Sequence, residues 1–261
     1  MTTRVLARVT YLLYLGVFLS FLYVPLAVVG ILAFNNSALP QFPWQGFTLR
    51  WFRAIAADPL LLRAVANSVV VGAAVVALAA PIGVITAFLL VRYRFPGKNL
   101  LYTLVLSPLV TPGVILGVSM LIFFDSLGVQ AGLATAVLGQ TSFIASFVLL
   151  IAAARLQKFD RSLEEAAQDL GATPLRAVLL ITLPFLRPAV MAACVVAFLL
   201  SFDNFNTTFF LIGNEITLPI RIYTTVRLEL SPTINAISVV FILLTVTMGM
   251  ATELLRRRAS T

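Results

Sequence analysis

The sequence predicts an all-α integral membrane protein with six transmembrane helices. Its 261 residues are 61% hydrophobic and 11% charged, with a mean hydropathy of +1.04. Soluble domains are about half apolar and a quarter charged, so a soluble protein is excluded. A bilayer core of ~30 Å needs about 20 apolar helical residues per crossing, and six runs meet that length. They are predicted at residues 11–34, 64–91, 100–124, 132–154, 188–212 and 234–255 of one membrane domain spanning residues 1–261.

The individual runs differ in character. Arg4 and Arg8 precede the first run, which is too long for the apolar part of a secretory signal, so we expect an uncleaved first span. The second run is longer than a crossing needs, which favours a tilted helix. The fourth run is rich in Ala, Gly, Ser and Thr, a composition suited to packing against other helices. Prolines that can kink their helices occur at Pro25, Pro81, Pro108 and Pro112.

The distribution of basic residues predicts the orientation of the bundle. With six crossings, the two termini share one side of the membrane with the second and fourth loops. Thirteen of the 18 Lys and Arg residues lie on that side. Because basic residues accumulate in cytoplasmic loops, both termini and the fourth loop, at about 156–187, are expected in the cytoplasm. The net charge of +8 therefore reflects membrane topology and does not predict a nucleic-acid partner.

The residue inventory argues against catalysis. The sequence contains no histidine, which removes the commonest general base and the commonest transition-metal ligand. The single cysteine, Cys194, cannot form an internal disulfide and is expected to be a small packing residue. Of the acidic residues, only Asp203 falls clearly within a predicted span. We therefore expect neither catalytic residues nor a metal site, and a membrane-embedded enzyme is the weaker alternative.

The fourth loop has the pattern of two short helices joined at a glycine. Asp160 and Ser162 are both suitable N-caps for a first helix, and Gly171 is a natural stop. Thr173 and Pro174 then suit the N-cap and first position of a second helix. An ordered polar loop of this kind predicts a docking element for a soluble partner. An amphipathic helix lying on the membrane is the alternative.

The spacing within this loop also resembles a known family. Glu165-Ala166-Ala167, three residues, Gly171, nine residues and then Ile181-Thr182-Leu183-Pro184 is similar to the loop of binding-protein-dependent ABC importer permeases. The resemblance implies a type I ABC importer permease fold, in which this loop is the coupling helix that docks on a cytoplasmic ATPase. The docking residues it implies are Glu164, Glu165, Ala166, Ala167, Asp169, Gly171, Ala172 and Pro174.

The same resemblance implies the partners. They are a homologous permease subunit, two ATPase subunits and an extracytoplasmic solute-binding protein, assembled in the lipid of a bacterial inner membrane. The chain's own Gly97-Lys98 pair lacks the upstream glycine and the following Ser or Thr of a phosphate-binding loop. No cofactor is therefore expected on this chain, and ATP and Mg²⁺ are expected on the ATPase subunits.

Along its whole length the chain resembles the second permease of spermidine/putrescine importers. The fragments that carry this resemblance are residues 44–48, 93–98, 165–171, 201–203 and 218–223. An ionisable group within a span normally faces a cavity or a partner, and the carboxylate of Asp203 would favour an amine cation over an anion. Its neighbour Asn204 occupies a position where the family commonly has a second acid. The translocation-path candidates are Asp203, Asn204, Asn206 and Thr207.

Several alternatives stay open from the sequence. Asp203 could cap a break in the helix instead of meeting the substrate. Permeases for ferric iron, thiamine, phosphonates or other small organic ions contain similar fragments. A channel or secondary transporter is a more distant alternative, since it would need no docking loop.

Overall fold

The computed structural model describes residues 2–228 and 231–258, and these residues form helices without a β-sheet, as predicted. The twelve helices are α1 (Thr2–Ala33), α2 (Arg50–Ala56), α3 (Pro59–Arg92), α4 (Lys98–Val110), α5 (Gly113–Ser126), α6 (Leu133–Leu156), α7 (Ser162–Asp169), α8 (Pro174–Ala177), α9 (Leu183–Phe202), α10 (Thr208–Leu211), α11 (Leu218–Leu228) and α12 (Thr233–Arg258). A π-helical segment, Val178–Thr182, joins α8 to α9.

The chain divides into two compact units. One unit comprises the chain through Leu61 together with Ile222–Thr247, and the other comprises Leu62–Arg221 and the residues from Met248 onward.

In the first unit, the loop after α1 is organised around the side chain of Asn35, which is 2% exposed. Its Nδ2 donates to the carbonyl of Gln41 at 3.1 Å, and its Oδ1 accepts from the backbone N–H of Gln45 at 2.8 Å. The indole N–H of Trp51 donates to the carbonyl of Asn35 at 2.9 Å. These bonds hold the loop in a defined shape, because each satisfies a polar group that is removed from water.

In the second unit, α3, α6 and α9 pack through small residues. Ala79 of α3, Ala145 of α6 and Ala193 of α9 belong to one buried cluster. Gly83 lies so close to α6 that a Cβ added there would be 2.7 Å from the Cβ of Val148 and 2.8 Å from the carbonyl oxygen of Ala145. Of the most apolar 18 residues of α6, 56% are buried, which confirms that this helix packs against protein.

The observed helices differ from the predicted spans in two places. Among the described residues, four helices are long and apolar enough to cross a membrane: Ala7–Ala33, Pro59–Arg92, Leu133–Leu156 and Pro174–Phe202. The third predicted span, 100–124, is instead the pair α4 and α5, bent by 109°. The fifth, 188–212, ends early at Phe202 and restarts in α10. The last predicted span, 234–255, lies within α12.

The bend between α4 and α5 has a local cause. Thr111 is extended, with φ −73° and ψ 129°, and it directly precedes Pro112. A residue before proline is driven out of the helical region by contact with the proline ring. Proline also lacks the N–H that would continue the hydrogen-bond ladder. The apolar run therefore continues in sequence while the helix axis changes direction.

Candidate functional site

The predicted elbow in the fourth loop is present in the structure. Asp160 Oδ1 accepts from the backbone N–H of Ser162 at 3.0 Å, and this bond lowers the pKa of the exposed Asp160 carboxyl. Gly171 adopts a φ of +92° after α7, a conformation that favours glycine. The side chain of Thr173 accepts from the backbone N–H of Arg176 at 3.4 Å and caps α8, with Pro174 at its start.

Most of the predicted docking residues lie on the outer surface of this elbow. The exposed ones are Glu165, Ala166, Asp169, Gly171 and Pro174, whereas Ala167 and Ala172 are half-buried. We name the segment from Leu163 to Leu175 the docking elbow, after the role that the sequence predicts for it.

The docking elbow also exposes large apolar side chains that the sequence reasoning missed. Leu170 is 91% exposed and Leu175 is 68% exposed, on either side of Gly171. Exposed apolar residues grouped on a polar loop mark a candidate surface for contact with another protein or with the membrane. The sequence contained a signal for Leu170, which stands directly before the helix stop at Gly171.

Glu164 differs from its predicted role. Its carboxylate is only 14% exposed and pairs with the guanidinium of Arg92, at the end of α3, across 2.9 Å. The same carboxylate oxygen accepts a hydrogen bond from the hydroxyl of Thr182, which is fully buried. Glu164 therefore faces the interior of its own chain, while Glu165 faces outward.

The cation in this pair is itself held in place. The guanidinium of Arg92 lies over the ring of Phe159, 5.1 Å from its centroid, and is 10% exposed at the side chain. The backbone carbonyl of Arg92 accepts from Arg161 Nη2 at 3.2 Å. Arg92 and Thr182 were not among the predicted site residues, because nothing in their local sequence indicates contact with a glutamate far along the chain.

The predicted path residues lie where α9 stops. Asp203 is exposed at the C-terminal end of α9, and its backbone N–H still donates to the carbonyl of Leu199 at 3.1 Å. Asn204 Oδ1 then accepts from the backbone N–H groups of Thr207 and Thr208, both at 3.2 Å, and so holds the turn that leads into α10. The structure therefore places all of these residues in a break between two helices, and not in a continuous span.

A cavity of about 240 Å³ opens beside this break. Asn204, Asn206 and Thr207 line it from the break itself. The opposite lining includes Phe143 and Phe147 of α6. The structure thus brings three of the four predicted path residues together around one space that combines amide and hydroxyl groups with aromatic rings.

A buried glutamine that the sequence reasoning missed holds the break against α6. Gln140 is 1% exposed, and its Nε2 donates to Thr208 Oγ1 at 2.6 Å. Its Oε1 accepts from the hydroxyl of Ser201 on the last turn of α9. A glutamine inside an apolar run is the signal that could have found it, because a buried amide needs partners.

The chain matches a known protein family and known relatives over most of its length. A family model described as "Binding-protein-dependent transport system inner membrane component" matches residues 79–260. The putrescine transport system permease protein PotI of Escherichia coli (strain K12) is 37% identical over 227 residues, covering 84% of this chain and 80% of that protein. The spermidine/putrescine transport system permease protein PotC of the same strain is 33% identical over 239 residues, covering 91% and 90%.

The fold is also similar to solved structures. A chain of a bacterial ABC transporter involved in the import of the acidic polysaccharide alginate superposes with a TM-score of 0.75. The match covers 98% of this chain and 96% of that chain at 17% sequence identity. At this identity the likeness shows a shared fold and does not bear on the transported solute.

Proposed function

Because the chain belongs to the family of binding-protein-dependent transport system inner membrane components, we propose that it forms half of the translocation pathway of a polyamine importer. The importer permease fold predicted from the sequence is confirmed, and the chain is a multi-pass membrane component of a transporter, not an enzyme. In the complex we propose, a homologous permease supplies the other half of the pathway. Two ATPase subunits hydrolyse ATP in the cytoplasm, where both termini of this chain lie, and a solute-binding protein delivers the substrate from outside.

The docking elbow is the observation that carries this proposal. Glu165 presents a free carboxylate outward, where an arginine of an ATPase subunit can bind it through two parallel hydrogen bonds. Leu170 and Leu175 supply apolar area beside it, and Ala166 leaves room for close approach. A channel or secondary transporter has no need of a loop that is folded into two helices and exposes both carboxylates and leucine side chains.

The polyamine assignment rests on the chemistry of the break after α9, together with the names of the relatives. The C-terminal end of a helix carries partial negative charge, and α9 ends at the carboxylate of Asp203. A cation passing this point would gain from both. The rings of Phe143 and Phe147 suit the methylene groups and ammonium ends of a polyamine. An anion such as a phosphonate would meet the same groups unfavourably.

The test is ATP hydrolysis by the reconstituted complex with its solute-binding protein. We expect stimulation by putrescine or spermidine and none by ferric iron, thiamine or a phosphonate.

A charge-assisted hydrogen bond contributes about 1.5–3 kcal/mol, so Glu165→Arg should weaken binding of the ATPase subunits about 10- to 100-fold. Asp125→Arg, which changes an exposed acid at the end of α5, is the matched control.

Each result has a distinct meaning. Stimulation by a different solute would retain the importer and reject the polyamine. Undiminished binding of the ATPase subunits to Glu165→Arg would reject the docking elbow as the contact surface.

A further inference from the structure

We propose that Glu164 is a positioning residue that transmits movement of the docking elbow to the membrane helices, whereas its neighbour Glu165 only binds the partner. This inference rests on the proposed function, since it requires an ATPase that moves the elbow. It assigns to two adjacent glutamates two separate tasks, one on each side of the same helix.

The contacts of Glu164 join three elements of the second unit. The carboxylate of Glu164 belongs to α7. It contacts the guanidinium of Arg92, the last residue of α3, and the hydroxyl of Thr182, the last residue of the π-helical segment that leads into α9. One side chain therefore lies at the junction of the docking helix and two long membrane helices.

Burial makes this junction stiff. The side chains of Arg92 and Glu164 are 10% and 14% exposed, and Thr182 is 0% exposed. Water and salt screen a buried ion pair far less than an exposed one. Separating the pair would leave a buried charge without its partner, which is strongly unfavourable. The three elements are therefore expected to move together over small displacements.

Two further contacts hold Arg92 at this junction. The ring of Phe159 covers the guanidinium, and Arg161, the residue that begins the turn into α7, donates to the Arg92 carbonyl. A displacement of α7 would therefore act on the backbone carbonyl of Arg92, at the C-terminal end of α3, as well as on its guanidinium. The π-helical segment, a helix type often found at functional sites, receives the same pull through Thr182.

Glu165 has none of these features. It follows Glu164 by one residue, about 100° further around the helix, and its side chain is exposed. The structure gives the outward carboxylate access to a partner and gives the inward carboxylate access to the membrane helices. Binding and transmission are therefore separable by mutation.

The experiment measures the two tasks independently in the reconstituted complex. Retention of the ATPase subunits on purification reports binding, and solute transported per ATP hydrolysed reports transmission. Glu164→Gln keeps the size of the side chain and removes its charge. We expect it to retain the ATPase subunits within about twofold, and to lower transport per ATP about tenfold, the factor that corresponds to 1.4 kcal/mol.

A charge exchange separates positioning from a general loss of structure. The double variant Arg92→Glu with Glu164→Arg re-forms an ion pair of opposite sense, and we expect it to recover most of the transport per ATP lost in Glu164→Gln. Thr182→Val, which keeps the shape and removes the hydroxyl, should lower transport per ATP in the same direction by a smaller factor. It serves as the second measurement if the Glu164→Gln chain is not recovered folded from the membrane.

The outcomes distinguish this inference from the proposed function. Unchanged transport per ATP in both Glu164→Gln and Thr182→Val would overturn the inference alone. Loss of the ATPase subunits from Glu164→Gln, as expected for Glu165→Arg, would also overturn it, because Glu164 would then be a binding residue. Failure of the wild-type chain to bind any ATPase subunit would instead overturn the proposed function.

Discussion

Replacing Gln140 by leucine should loosen the break that follows α9. The two side chains have similar volumes, so the main change is the loss of two buried hydrogen bonds, one with Thr208 at 2.6 Å and one with Ser201. Side-chain hydrogen bonds between membrane helices contribute about 0.6 kcal/mol on average and up to about 1.7 kcal/mol each. We therefore expect the free energy of unfolding to fall by about 1–3 kcal/mol.

The chain carries its own probe for this measurement. Cys194 is the single cysteine of the sequence and lies half-buried on α9, the helix that Gln140 holds through Ser201. The rate at which a maleimide labels this thiol, followed as SDS is added to mixed micelles, reports unfolding around α9.

The control is Gln157→Leu, an exposed glutamine just beyond the end of α6. It should change the free energy of unfolding by less than about 0.5 kcal/mol, as surface substitutions usually do. Equal unfolding midpoints for Gln140→Leu and the wild type would refute the reasoning. That result would mean that the hydroxyls of Ser201 and Thr208 find other partners at no net loss.

Two further predictions follow from local geometry. Gly83→Ala places a Cβ 2.7 Å from that of Val148 and should destabilise the chain by about 1–3 kcal/mol in the same labelling assay, whereas Gly16→Ala, with open space around it, should not. For Asp160, the bond from Ser162 lowers the folded-state pKa below 3.8. Its contribution to stability is therefore present above that value and lost as the pH falls through the lower folded-state pKa. A carboxyl-carbon NMR titration in nanodiscs should show this pKa below 3.8, and a value above it would contradict the hydrogen bond from the backbone N–H of Ser162.

The helical membrane class and the docking elbow were predictable because their causes are local. Hydropathy reports the need to remove twenty apolar residues from water, whichever neighbours they acquire. The N-cap at Thr173 and the stop at Gly171 likewise depend on the backbone within one or two turns.

The extent of the spans was less predictable. Pro112 and the polar run from Ser201 to Thr208 both lie inside apolar segments, where neighbouring helices can restore the backbone hydrogen bonds that such residues disturb. Whether a helix bends, stops or continues there depends on those neighbours. For α9 one such neighbour is Gln140, which bonds to Ser201 and lies 61 residues away along the chain.

The two adjacent glutamates separate what the sequence determines from what the tertiary structure decides. By itself, the sequence determined that a charged two-helix elbow lies between apolar spans, because capping, charge and hydropathy act over a few residues. Only the tertiary structure decided that Glu164 turns inward to Arg92 and Thr182 while Glu165 remains exposed. Identical side chains take different roles when a partner distant in sequence pairs with one of them in the interior, and no local pattern carries that information.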